Sequence, residues 1–198
     1  MNKVIKEFRK IVYQRSIENA RALEAMKSEL GNMVSPAFSI LRQELDSFIR
    51  VIFLLSIKNR TERQRLMQAT LDGQKWRVLT NKGKWRDVTD KEMVELSNRL
   101  HGWTGRVYKF GCAFIHLSDL HNHLSKDPFQ KLSEVEKQDI LAHLRNTHRW
   151  DESDSLTVEK FISDLPYIFG KIGGVMDCYL DYLEQDKVLD EDEFISSN

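Results

Sequence analysis

From Ser35 to Ser56 the residues Phe38, Leu41, Leu45, Phe48, Ile52 and Leu55 fall three or four positions apart. Such spacing lines them along one side of an α-helix, because a turn takes 3.6 residues. A seam this long has to be covered by other helices running close to parallel with it, which makes a bundle the natural architecture. Ser35 followed by Pro36 reads as the N-cap and first-turn proline of that helix.

The flanking segments follow suit. Val4, Phe8, Ile11 and Val12 open a first helix that good helix formers carry to Leu30, where Gly31 and Asn32 stop it. A short third helix is expected from Thr61 to Leu71. Residues 75–89 break the pattern: Trp, Val and Thr flank a turn with Asn81 and Gly83, a hairpin signature. Helical spacing returns from Thr89 or Asp90 through Met93, Leu96 and Leu100, and "HGWTG" interrupts it. Val107, Phe110, Phe114, Leu117, His121 and Leu124 resume it as far as Asp127-Pro128. Ser133 and Glu136 form a capping box ahead of Ile140, Leu141 and Leu144. A last helix carries Val158, Phe161, Leu165, Ile168, Ile172, Val175, Tyr179 and Leu183, with Pro166 placed to kink it. Gly170 and Gly174, one turn apart, would let a neighbouring helix come close. The expectation is a mainly α bundle of five to seven helices with an inserted hairpin at 75–89. It is read as one domain over 1–183, followed by a disordered acidic tail at 184–198.

Thirty basic and thirty acidic side chains cancel over 198 residues, so no global field draws the chain to nucleic acid or membrane. Local patches exist. Residues 58–91 hold ten Lys or Arg against four Asp or Glu, while 181–198 hold seven acids against Lys187 alone. The start is charged throughout, and the apolar run Val51–Ile57 falls far below the roughly 20 residues of a membrane helix. Cys112 and Cys178 form no disulfide framework. A cytoplasmic protein without membrane association is expected.

Half of the six histidines and an aspartate lie in "FIHLSDLHNH", residues 114–123. On a helix His121 falls in the apolar row, where a core histidine with a hydrogen-bond partner is expected. Cys112, His116, Asp119 and His123 share the opposite face. Asp119 can converge with either neighbouring histidine, so His116, Asp119 and His123 are candidate ligands for a divalent metal; otherwise no cofactor is implied. His143, Arg145 and His148 form a second polar cluster, suited either to a helix C-terminus or to acid/base work on phosphate. No nucleophile elbow, Cys/His nucleophile arrangement or nucleotide-binding glycine loop is present. In the hairpin, Lys75, Trp76, Arg77, Lys84, Trp85 and Arg86 interleave cations with indoles. That pattern could stack bases and contact RNA phosphates, or could pack its tryptophans down on the bundle.

"LRQELDSFIRVIFLL" at 41–55 and, beyond the hairpin, "VYKFGCAFIHLSDLH" at 107–121 resemble the helix pair of HEPN-like proteins, over roughly residues 36–125. The resemblance implies an all-α bundle that forms homodimers, from a superfamily of RNA-cleaving toxins, abortive-infection effectors and non-catalytic relatives. Its catalytic signature sets four to six residues between an arginine and a histidine at a helix start. Here nine residues separate Arg106 from His116, and two separate Arg145 from His148. The expectation is therefore an RNA-associated or partner-binding module of a bacterial cell, acting in phage defence or stress, rather than a catalyst. The enzymatic alternative is a metal-independent ribonuclease using His116, with Arg106, Arg145 and His148 as its candidate companions. The third alternative is a metal-binding bundle.

Overall fold

The computed structural model describes residues 3–80, 82–108 and 127–189. The order is α1 (Lys3–Ala25), a 3-10 helix (Lys27–Asn32), α2 (Val34–Ser56), α3 (Arg60–Leu71), β1 (Arg77–Leu79), β2 (Trp85–Asp87) and α4 (Asp90–His101). A helical turn at 104–108, a 3-10 helix (Pro128–Lys131), α5 (Glu134–His148) and α6 (Val158–Glu184) follow. The mainly α fold with a small antiparallel hairpin is as the periodicity predicts.

Differences from expectation concentrate at helix ends. α1 stops at Ala25 instead of Leu30, and the chain tightens into a 3-10 helix whose Met33 N–H donates to the Glu29 and Leu30 carbonyls. The shift satisfies carbonyls that a helix end would leave open. α2 starts at Val34, so Ser35 lies inside its first turn and is no N-cap. Ala37 N–H donates to Met33 O at 3.0 Å. Pro36, as the third helical residue, costs no bond there. Elsewhere caps mark the starts: Asn59 accepts from Glu62 N–H, Thr89 from Glu92 N–H, and the Ser133–Glu136 box forms in both directions.

The described residues group into two compact units. Residues 3–17, 46–105 and 173–189 form the first, and 18–45, 106–108 and 127–172 the second.

In the first unit Phe48, fully buried on α2, stacks on Trp103 at 6.0 Å and Tyr179 at 5.8 Å and meets His101 at 5.3 Å. Gly102, at φ 70° in the left-handed region, turns the chain so that His101 and Trp103 both face that ring. The segment expected to fray after Glu184 is tied down as far as Leu189. Arg63, 3% exposed, donates to the carbonyl of Lys187 at 2.5 Å and pairs with the Asp186 carboxylate. Leu189 N–H adds a bond to Leu55 O. The rest of the predicted tail, 190–198, lies outside the described residues.

In the second unit Phe161 stacks on Phe38 at 5.4 Å and meets Phe129 at 5.8 Å. One carboxylate starts two helices: Asp127 accepts from Phe129 N–H at 2.8 Å and from Val158 N–H at 2.9 Å. Glu44, with no exposure, accepts from Asn19 Nδ2 at 3.2 Å. Pro166 sits within α6, which continues past it.

Among the described residues Gly170 and Gly174 serve no close helix approach. Both are exposed, and a Cβ built on either meets nothing within 4 Å. The small residues sit on the solvent side of α6, where no neighbour among the described residues needs the space.

Truncation of Phe48 to Ala removes the ring that three other rings share. We expect a loss of about 3–5 kcal/mol in urea unfolding, and a loss below 1 kcal/mol would show that the aromatic nest is not central to the first unit.

Candidate functional site

The hairpin is built by a short turn and held by one arginine. Gly83, at φ 71°, lets the chain reverse, with Gly83 N–H on Thr80 O and Thr80 N–H on Lys84 O, both at 2.9 Å. The resulting register sets Arg77 opposite Asp87 and Leu79 opposite Trp85. Arg65 on α3 is fixed by Glu62, to which it donates from Nε at 2.8 Å and from a terminal nitrogen at 2.6 Å. The same guanidinium donates to Arg77 O and lies 4.7 Å from the Trp85 ring centroid. Hydrogen bonding to Arg65 holds the Glu62 carboxyl below its ordinary range, so the pair stays ionised at neutral pH.

The two tryptophans of the interleaved motif have different fates. Trp76 is 4% exposed, donates from Nε1 to Thr70 Oγ1 at 2.8 Å, packs on Phe53 and carries Arg50 over its ring. It belongs to the core, and the expectation that it stacks on bases is corrected. Trp85 is 48% exposed, and its cross-strand neighbour Leu79 is 56% exposed. Both are on the strands' open side, so a flat apolar surface of two residues stands in water. Elsewhere on the hairpin Lys75, Arg77, Lys84 and Arg86 are all exposed. Arg77 meets Asp87 at 3.2 Å across the strands, and Arg86 holds Glu92 at 2.6 Å. Exposed pairs of this kind are worth little, so phosphate can exchange with their carboxylates. Arg65 and Leu79 escape a reading of the motif alone. The Glu62–Arg65 spacing was the available sign for the first, and the hairpin register for the second.

A second cluster lies in the second unit, at the end of α5. The His143 and His148 rings are 5.6 Å apart, and His148 meets the edge of Tyr167 at 6.0 Å. Lys171 donates to Thr147 O and sits 5.3 Å from the Tyr167 ring, with Arg149 at 5.6 Å. Burial lowers both imidazoles, and the nearby cations Arg106 and Lys171 lower His143 further. His148 falls to about 4 through burial, His143 and Lys171. Its Nδ1 is buried with no hydrogen-bond partner among the described residues. Arg106 pairs with Asp139 at 2.7 Å. Arg145 instead clamps the following loop, donating to Asp151 O and Glu152 O. Arg106, His143 and His148 are thus gathered, and Arg145 is occupied in holding the backbone.

His116, His121, Asp119, His123 and Cys112 lie outside the described residues, and with them the metal reading and the proposed catalytic histidine. Among the described residues no group of three His, Cys, Asp or Glu could hold a metal ion. No helix among them is long and apolar enough to cross a membrane. Comparison with protein-family models, with curated proteins and with solved structures finds no match.

Acid should report on the buried imidazoles. His101, hydrogen-bonded to the Tyr179 hydroxyl at 3.2 Å, is lowered by burial from 6.5 to about 4, as far as His148. The unfolded chain therefore takes up these protons before the folded one does. Stability is full above about pH 6.5 and declines as pH falls toward 4. Calorimetry across that window should give a shallower decline for His101→Leu than for wild type; an unchanged slope would show that His101 is not part of the acid response.

Proposed function

We propose that this chain is an RNA-associated helical module that holds single-stranded RNA against its hairpin. The observation that carries the reading is Trp85, an exposed indole braced by the guanidinium of Arg65 and paired across the strands with exposed Leu79, on a hairpin that also exposes four cationic side chains. Every base offers a π-face to such a ring, and the surrounding charges suit a phosphate backbone without asking for a sequence. The overall neutrality of the chain fits a module whose affinity is confined to one patch. The HEPN-like resemblance supports the same class of partner, and homodimerisation belongs to that part of the proposal.

The test is fluorescence anisotropy with a labelled oligoribonucleotide. Trp85→Ala should weaken binding about tenfold, since stacking contributes roughly 1–3 kcal/mol per base. Replacing Lys75, Arg77, Lys84 and Arg86 together should weaken it further and flatten its salt dependence. Affinity unchanged in both variants would remove the hairpin from RNA binding.

A second reading, a metal-independent ribonuclease, is favoured by one observation: Arg106 acts on His143, whose ring neighbours His148. Neutral imidazoles beside cations can accept a proton from a ribose hydroxyl while the cations stabilise the phosphorane. Cleavage of a fluorescent RNA by wild type that disappears in a folded His148→Ala variant would select it; no cleavage by either leaves the binding module.

A further inference from the structure

At the base of the hairpin the first unit forms an open cleft of about 640 Å³, within the range that small ligands occupy. Its walls come from α1, α2, the segment between α3 and β1, and the segment between β2 and α4. Backbone bonds brace the rims: Gln74 N–H donates to Ala69 O at 2.7 Å, and Val88 N–H to Trp76 O at 2.9 Å.

Its charges are arranged in two groups. Arg50 lies on the floor over Trp76, tied to Asp46 and Asp90 at 3.2 Å each. Asp46 is thereby committed to Arg50, and Arg15 stands off at 3.6 Å, beyond hydrogen-bond range. Among the described residues Arg15 thus forms only a long ion pair with Asp46, and 40% of its side chain is exposed to a further acceptor. Lys75, which also lines the cleft, is exposed and has no ion pair among the described residues. Asp87 adds a carboxylate to the same lining. Asp87 gives one oxygen to Arg77 at 3.2 Å, and more than half of its side chain remains exposed. A ligand that fits such a lining carries both an anion and hydroxyl donors.

We propose that this cleft takes one nucleotide of the bound RNA, with the phosphate between Arg15 and Lys75 and the ribose hydroxyls donating to Asp87. The inference rests on the RNA-binding reading above and adds what that reading lacks, a means of telling RNA from DNA. Stacking on Trp85 is indifferent to the sugar, whereas a carboxylate acceptor for the 2′-hydroxyl is not. Trp76 is covered by Arg50 and offers the base no stacking face, so no base selectivity accompanies the sugar selectivity.

The test uses mononucleotides on the full chain. Titration with adenosine 5′-monophosphate, followed by calorimetry or nuclear magnetic resonance, should show binding that inorganic phosphate competes away. The 2′-deoxy analogue should bind at least about fivefold more weakly. Arg15→Ala and Lys75→Gln should each weaken the ribonucleotide severalfold, and Lys75 is exposed enough that its replacement leaves the fold intact. Asp87→Ala should bring the two nucleotides to equal affinity. Absence of nucleotide binding, or equal affinity for the two sugars in wild type, would overturn the proposal. Mononucleotide binding that persists where oligonucleotide binding fails would support the cleft and sink the hairpin reading alone.

Discussion

A helix that leaves almost no side to water must be wrapped, and α2 is such a helix. Beyond its seam, Ile40, Ile49, Val51 and Leu54 are buried as well, and Glu44 has no exposure at all. Its backbone hydrogen bonds are internal, so it can be covered from any direction without leaving polar groups unpaired. What it demands from the rest of the chain is apolar surface in the right places. Phe161 meets its first half in one unit; His101, Trp103 and Tyr179 meet its second half in the other. The one buried acid on it is matched by Asn19, as a low-dielectric surrounding requires.

The hairpin depends on this core in a simpler way. Two three-residue strands are not stable alone. Trp76 anchors one arm through Phe53 and Thr70, and Arg65 ties the same arm to α3. The other arm is tied to α4 through Arg86 and Glu92, yet its indole, Trp85, stays half-exposed. The surface that makes the hairpin interesting is thus a consequence of asymmetric burial of a symmetric sequence.

That symmetry also explains what the sequence could and could not disclose. Lys75-Trp76-Arg77 and Lys84-Trp85-Arg86 are locally alike, so nothing within either triplet tells which indole is buried. The decision comes from Thr70, Phe53 and Arg65, residues on other elements. Helix starts were legible where a side chain of the right type precedes the apolar spacing, as at Thr89 and Ser133. The end of α1 was not, because the 3-10 turn that replaces its last residues has no strong marker of its own. Gly170 and Gly174 misled for a related reason: a small side chain permits a close neighbour without supplying one. For the site, Trp85 and its cations were legible from composition, whereas the cleft depends on residues from Arg15 to Asp90 brought together only by the fold.

The double cap at Asp127 shapes how this part of the molecule can change. Its carboxylate receives N–H groups from Phe129 and Val158, so the stretch between them leaves from and returns to a single point. A segment pinned at its base can be lengthened, shortened or exchanged at little entropic cost, because loop closure depends only weakly on length once the ends are joined. The excursion carrying α5 is therefore the natural place for relatives of this chain to differ in size while both flanking helix starts keep their places.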